Sequence, residues 1–266
     1  MNGACMSKIM DKNVSWLIPW LLVLMFTNSA CAATEFVGKV VFSKGAVSAR
    51  GETNVPRLLG RDSPVYRNDT ITTGKKSFTV IRFNDQTKMS LRPNSEVIID
   101  KYNDKAGQEE AEFSLVKGGL RALTGLVGKR KPQNVRFKTR QASIGIRGTD
   151  LVLRYCEKNE CELEELSLAG FEPVKTSCAS KIEGQPPGFF FAVLDGSIYS
   201  EKNGSRVELD AISAGYASEK EVSCISLVPR FIVHDEYLNT INQDTLILEL
   251  FQFIGDNNEF PSCEIL

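Results

Sequence analysis

Histidine is nearly missing from this chain: among 266 residues there is one, His234, in the stretch FIVHDEYL. A lone imidazole beside Asp235 and Glu236 could serve as a general base. It cannot build a histidine-based metal site by itself, and a single histidine is ordinarily structural. No serine sits in the glycine pattern of a nucleophile elbow, and no glycine-rich loop is suited to cradle phosphate. Net charge is missing as well. The 32 Lys and Arg residues against 33 Asp and Glu leave a formal charge of -1 at pH 7, so nothing pulls the whole molecule toward nucleic acid or a membrane surface. These absences leave no positive signature of an enzyme, and no metal or cofactor is expected. A hydrolase built on paired carboxylates is the one catalytic reading left open, because their separation is invisible in sequence.

What is present begins with an apolar run, WLIPWLLVLMF (Trp16 to Phe26), preceded by Lys8 and Lys12 and followed by the small residues Ala30, Cys31, Ala32 and Ala33. The run is too short to span a bilayer and contains Pro19. Basic start, short apolar centre and small-residue end predict a secretory signal peptide over 1–33, cut near Ala32 or Ala33. Lipidation of Cys31 is the alternative, although Asn28 stands where lipoprotein signals usually place leucine. No later apolar run suits a membrane helix, so the mature chain is expected in the periplasm or secreted.

Export permits disulfides. Cys156, Cys161, Cys178, Cys224 and Cys263 remain after the signal, and the first four are the disulfide candidates. The spacing of Cys156 and Cys161 does not suit a zinc knuckle, which wants two tighter pairs.

Composition is ordinarily globular, with 42% hydrophobic and 24% charged residues. From Phe36 to Asp100 short β-branched runs alternate with turn signals, predicting strands. In SFTVIRFNDQTKMSL the Asn84, Asp85 corner predicts a hairpin. Phe78 and Val80 share one strand face while Ile81 and Phe83 share the other, which predicts a strand covered on both sides. A phrase recurs: FSKGAVSA (Phe42 to Ala49), LVKGGLRA (Leu115 to Ala122) and VLDGSIYS (Val193 to Ser200). Each reads as strand, tight turn on a positive-φ glycine, strand, and their recurrence suggests one β unit stacked or paired several times. EKNGSRVEL adds the Asn203, Gly204 hairpin signal. The acidic stretch ending in GQPPG predicts an insertion over 156–188, and DTLILELFQFIG near the end fits a helix from Asp244 to Gly255 or a strand.

Charge is segregated locally. Lys117, Arg121, Lys129, Arg130, Lys131, Arg136, Lys138, Arg140 and Arg147 follow one another with no acid between Phe113 and Thr149, and Glu157, Glu160, Glu162, Glu164 and Glu165 come next. The acids fold over the basic strands, or the strip lies open to an anionic partner; solvated strand faces are the usual explanation. Lys129, Arg130 and Lys131, read as a loop before Pro132, are with Arg140 and Arg147 the candidate binding residues. In TRQASIGIRGTD (Thr139 to Asp150) Ala142, Ile144 and Ile146 alternate inward against Ser143, Gly145 and Arg147. Gly145 permits close approach of a bulky group. Gly148 and Thr149 are expected to turn the chain into the next strand, with Arg147 pinning a neighbouring loop. A structural corner is favoured here over a ligand site.

The sequence DTITTGKKSFTVIRFNDQTKMSLRPNSEVIIDKY, then FSLVKGGLRALTGLVGKRKP, then TRQASIGIRGTD resembles the FecR domain family. The resemblance covers Val37 to Tyr155, with Val193 to Ser218 similar to the family's trailing strands, and the IGIRGT phrase is its most specific part. Asp69, Thr70, Thr73 and Gly74 match the family's turn-and-strand signature, and Asp85, Leu91, Pro93 and Ser95 the following hairpin. The resemblance implies an exported β-domain of a Gram-negative bacterium that binds or senses and does not catalyse. The family's regulators place a sigma-factor-binding segment and a membrane helix before this domain. The apolar run here is read as a signal peptide, so direct sigma-factor regulation is not expected.

The expectation is thus an all-β fold, a stacked or rolled sheet of β-solenoid or double-stranded β-helix type, with a short C-terminal helix or strand. It divides into a signal peptide (1–33), a β-domain (34–155), the acidic insertion (156–188), trailing hairpins of the same domain (189–223) and an extension (224–266). The expected partner is an envelope protein, with an anionic glycan as the alternative, and nucleic acid is not expected outside the cytoplasm. Alkylation of the native protein followed by mass spectrometry should find Cys156, Cys161, Cys178 and Cys224 blocked as disulfides. Four free thiols would overturn the export argument.

Overall fold

The structure, a computed structural model, describes residues 35–157, 187–202, 205–226, 228, 229 and 232. Within them the β-branched and aromatic runs form strands, as their preference for a pleated, half-buried surface dictates. Sixteen strands make one hydrogen-bonded sheet that is rolled on itself. One arm runs β3 (Pro56–Leu58), β2 (Val47–Arg50), β5 (Thr70–Thr73), β8 (Glu96–Asn103), β9 (Glu110–Lys117), β11 (Val135–Lys138). The other runs β4 (Pro64–Tyr66), β1 (Phe36–Lys44), β6 (Phe78–Phe83), β7 (Lys88–Leu91), β10 (Gly119–Leu123).

Both arms end on the same strand, β12 (Ser143–Cys156): β11 pairs with its start and β10 with its end. On the opposite edge β13 (Gly188–Lys202) follows β12 along nearly its whole length. β14 (Ser205–Asp210) then extends one layer, and β15 (Ser213–Ala217) with β16 (Val222–Ile225) extends the other. β13 and β14 pair up to Lys202 and Ser205, the register a two-residue Asn-Gly connection predicts. The strands between Gly188 and Ile225 therefore join the same sheet.

The layers face one another across a single core. Phe83 of β6 lies 5.4 Å from the ring of Tyr102 on β8 and 5.1 Å from Phe113 on β9, and Phe113 stacks on Phe137 of β11 at 5.3 Å. Each such side chain, fully buried, stabilises the fold by roughly 1.5–3 kcal/mol. β6 is covered on both faces as expected: Ile81 and Phe83 join the main core, while Val80 packs outward with Val41 and Phe42. The predicted corner at Asn84 and Asp85 joins β6 to β7 as a hairpin.

The recurring phrase corrects the sequence reading. The strands flanking Gly45 and Gly118 do not pair with each other; β1 and β2 lie in opposite layers, as do β9 and β10. Each glycine is a corner where the chain crosses between layers, with φ of 77° and 78°. The third copy, at Gly196 (φ 81°), lies inside β13 where that strand changes layers. Two crossovers are built alike. The backbone N–H after Gly45 donates to Ser77 Oγ at 2.9 Å, and the N–H after Gly118 donates to Ser95 Oγ at 2.9 Å. Ser77 and Ser95 themselves lie in the neighbouring crossovers, so the corners lock pairwise. The phrase recurs because the corner recurs.

Asp85 is the second point of closure. Its buried carboxylate accepts bonds from Thr87 N–H (3.0 Å) and hydroxyl (2.8 Å), Tyr102 Oη (2.9 Å) and Val127 N–H (3.1 Å). Four donors satisfy a buried charge that would otherwise be strongly unfavourable. Burial, then the Asp85 charge, hold the Tyr102 phenol far above its ordinary value of 10.0. The folded state thus favours the neutral phenol, a contribution complete below about pH 10 and lost as pH rises beyond it.

The short helix α1 (Leu126–Arg130) and a 3-10 turn (Pro132–Asn134) stand where Lys129, Arg130 and Lys131 were read as a loop. Gly125, at the N-cap, has no side chain to cap with; Asp85 supplies the acceptors instead, through its carbonyl to Leu126 N–H (2.8 Å) and its carboxylate to Val127 N–H. A cap 42 positions away in sequence leaves no local signal. His234, the C-terminal stretch 244–255 and most of the acidic insertion lie outside the described residues.

Gly118→Ala combines positive φ with a Cβ placed 2.3 Å from Ser95 Oγ. It should lose about 2–4 kcal/mol in urea unfolding. Gly107→Ala, with φ 86° but open space, should lose about 1 kcal/mol, and Gly60→Ala, open and without positive φ, less than about 0.5 kcal/mol. Equal losses at all three positions would remove the corner argument.

Candidate functional site

The stretch Thr139 to Asp150 is built as its alternation requires. Thr139 Oγ1 accepts from the N–H groups of Gln141 and Ala142 at 3.2 and 3.0 Å and donates to Ala142 carbonyl, a local turn that presents Arg140 outward. Ile144 and Ile146 are fully buried and Ala142 nearly so, while Arg147 is exposed.

Gly148 and Thr149 do not reverse the chain. They form a bulge inside β12, where the pairing with β13 shifts between Arg147 and Asp150. Gly148 has φ 62° and faces Gly196, whose missing Cβ would lie 2.2 Å from Gly148 carbonyl. Thr149 ties the bulge down. Its hydroxyl donates to Ser197 carbonyl at 2.7 Å and accepts from Arg147 N–H at 3.2 Å, and its N–H donates to Thr124 Oγ1 at 2.7 Å. The twin bulges let one ribbon serve both layers.

Arg147 pins no loop: its guanidinium bonds no other described residue. Arg121 does the pinning, from β10, with Nε to Asp150 Oδ1 at 2.9 Å and Nη2 to Oδ2 at 2.7 Å, both side chains being about one-tenth exposed. A planar fork on a carboxylate beside the bulge is the arrangement Arg favours over Lys.

Gly145 admits a bulky group, as expected, and that group is the ring of Tyr199. A Cβ at 145 would lie 2.0 Å from the ring. Arg206 of β14 lies over the same ring at 4.3 Å, so the phenol is held between bare backbone and a guanidinium. Arg206 also bonds Glu208 and Glu201 at 2.9 and 3.0 Å. Tyr199, Arg206, Gly128, Lys129, Pro132, Gln133, Ile146, Arg147 and Gly148 surround an open groove of 620 Å³.

The basic strip separates into two sets. Lys117 pairs with Glu96 at 3.5 Å, Lys138 with Glu112 at 2.6 Å and Arg121 with Asp150. Lys129, Arg130, Lys131, Arg136, Arg140 and Arg147 are exposed, with no ion pair among the described residues. Lys129 and Arg147 line the groove; Arg130, Lys131 and Arg140 do not. Sequence reasoning did not single out Tyr199 or Arg206. Gly145 within a strand signalled a bulky neighbour without saying which, because Tyr199 meets it only through the register of β12 with β13.

Cys156, wholly buried, and Cys224, half-buried, are disulfide-bonded. Cys161 and Cys178 lie outside the described residues, so the pairing stays a proposal. Among the described residues no group of three or more His, Cys, Asp or Glu side chains is placed to hold a metal ion.

A family model described as FecR protein matches residues 69–164, from the buried Asp69 through the bulge and into the acidic stretch. That segment is similar to FecR domains. No curated protein matches. Two crystal structures from Parabacteroides distasonis ATCC 8503, each described as a candidate anti-sigma factor, are similar at TM-scores of 0.43 and 0.42 and identities of 10% and 11%. In each case 62% of this chain and 62% of the other is covered. A likeness that slight does not establish a shared fold.

Gly145→Ala should destabilise the protein by about 2–3 kcal/mol by displacing Tyr199. In a thermal double-mutant cycle, most of that loss should vanish when Tyr199→Ala is already present. Additive losses would mean that the ring and the glycine are not coupled.

Proposed function

With residues 69–164 carrying the FecR match, we propose that this protein is an exported, non-catalytic binding module of the cell envelope that engages a protein partner. The observation that carries the reading is the groove at the β12 bulge, where Lys129 and Arg147 stand exposed without an ion pair to any described residue, on a frame fixed by Asp85, Thr149 and Arg121. A rigid frame lowers the ordering cost of association, and unmatched cations at its surface attract and orient an anionic partner. Export rests on the basic, apolar and small-residue order of the first 33 residues. The buried polar groups of the FecR signature support binding in place of chemistry, since they are spent on structure. Asp69 is bonded by Arg57 and by Tyr66 N–H, Thr73 Oγ1 donates to Arg92 carbonyl and accepts from Ser95 N–H, and Asp85 is fully bonded.

Cross-linking pull-down from envelope extract with the mature chain is expected to recover one protein. The Lys129→Glu, Arg130→Glu, Lys131→Glu variant serves as the control. Recovery by the native chain and not by the variant supports the reading at this groove; recovery by both keeps a binding module and takes the contact away from the groove. Recovery of glycan alone, or of nothing, overturns the reading.

A further inference from the structure

Resting on that reading, the geometry points to a more specific occupant: we infer that the groove takes a short acidic segment of a protein partner, with a carboxylate against Lys129 and Arg147. Three features of the lining select this chemistry. The first is charge. Arg206 is matched, with one carboxylate to spare, by Glu201 and Glu208, so among the described lining residues the cations left for a ligand are Lys129 and Arg147. With that spare carboxylate nearby, the two cations suit a single acidic group. A long polyanion would gain more from a continuous cationic track, and the strip is interrupted where Lys117, Arg121 and Lys138 are paired with acids.

The second feature is the aromatic ring. Sugar recognition commonly uses a free aromatic face, but the Tyr199 ring lies against Gly145 and under the guanidinium of Arg206, which leaves its edge to the groove. The third is the half-buried Pro132 on the groove wall, which suits the aliphatic parts of a peptide flanking the acid, while Ile146 and Gly128 lie buried beneath it. Pockets of this kind combine an apolar wall with a few fixed polar groups that set orientation. Here those groups are held in place: Lys129 rides on α1, whose first turn is bonded to Asp85, and Arg147 sits on the bulge whose N–H is held by Thr149. A carboxylate accepts the Arg fork in two parallel bonds, which gives direction as well as attraction.

The test is fluorescence anisotropy with the full mature chain and a fluorescein-labelled heptapeptide of alternating leucine and glutamate. Lys129→Glu and Arg147→Glu should each weaken binding about tenfold or more, while Arg130→Glu and Arg140→Glu change it less than about threefold. The same peptide with glutamine for glutamate should not bind. Because the Lys129 and Arg147 side chains bond no described residue, thermal melts of these variants should match the parent. Equal loss from all four reversals would assign the binding to a diffuse field and overturn the inference. So would a heparin fragment that binds more tightly than the peptide regardless of Lys129 and Arg147, or succinate displacing the peptide at equal concentration. A peptide that fails while the pull-down still captures one envelope protein would overturn this inference and leave the binding module standing.

Discussion

The fold depends on one constraint: a two-stranded ribbon, β12 with β13, must belong to both layers. Straight strands cannot do this, because a straight pair would carry every neighbour in one plane. The bend is obtained at paired positions, Gly148 with φ 62° on β12 and Gly196 with φ 81° on β13, where a Cβ at Gly196 would lie 2.2 Å from the Gly148 carbonyl oxygen. Thr149 and Thr124 then satisfy the backbone groups that the bulge removes from the ladder. A buried group left unpaired there would cost about 1–3 kcal/mol. Everything on either arm, from β3 to β4 around the roll, is positioned by where those two strands turn.

The same bend makes the groove. Below the bulge β12 keeps its alternation, so Ile144 and Ile146 fill the core and Gly145 lies under Tyr199. At the bulge Arg147 is left outward, and Thr149 fixes its backbone without engaging its charge. The β10-to-β11 connection, held by Asp85, brings α1 and Lys129 to the same place. Structural closure and an exposed cationic rim therefore arise from one set of residues, which is why IGIRGT looked at once like a corner and like a site.

Much of this was legible in the sequence, for identifiable reasons. Strand and turn signals are local, so the all-β class, the Asn84, Asp85 hairpin, the two-faced burial of FTVIRF and the alternation around Ile144 could be read directly. The recurring glycine phrase was visible too, but its meaning was not. A positive-φ glycine between two strands is compatible with a hairpin or with a crossover, and only pairing partners far away in sequence distinguish them. What could not be read shares that origin. The cap of α1 comes from Asp85, the partner of Arg121 is Asp150, and the occupant of Gly145 is Tyr199, each set by register and not by neighbours in sequence.

Charge shows the distinction most clearly. Nine cations in a stretch free of acids looked uniform as a string, yet the roll divides them by depth. Arg121, turned toward the bulge, is one-tenth exposed and must be paired, since breaking a buried ion pair leaves a charge without compensation. Lys117 and Lys138 meet glutamates across the strand ladder, where each pair contributes at most about 1 kcal/mol. Lys129 and Arg147 are exposed and meet no carboxylate among the described residues, so their charge is left for another molecule. Their position beside backbone held by Asp85 and Thr149, and not their number, is what makes a directed contact there physically reasonable: attraction at that point acts on groups whose backbones are already hydrogen-bonded in place.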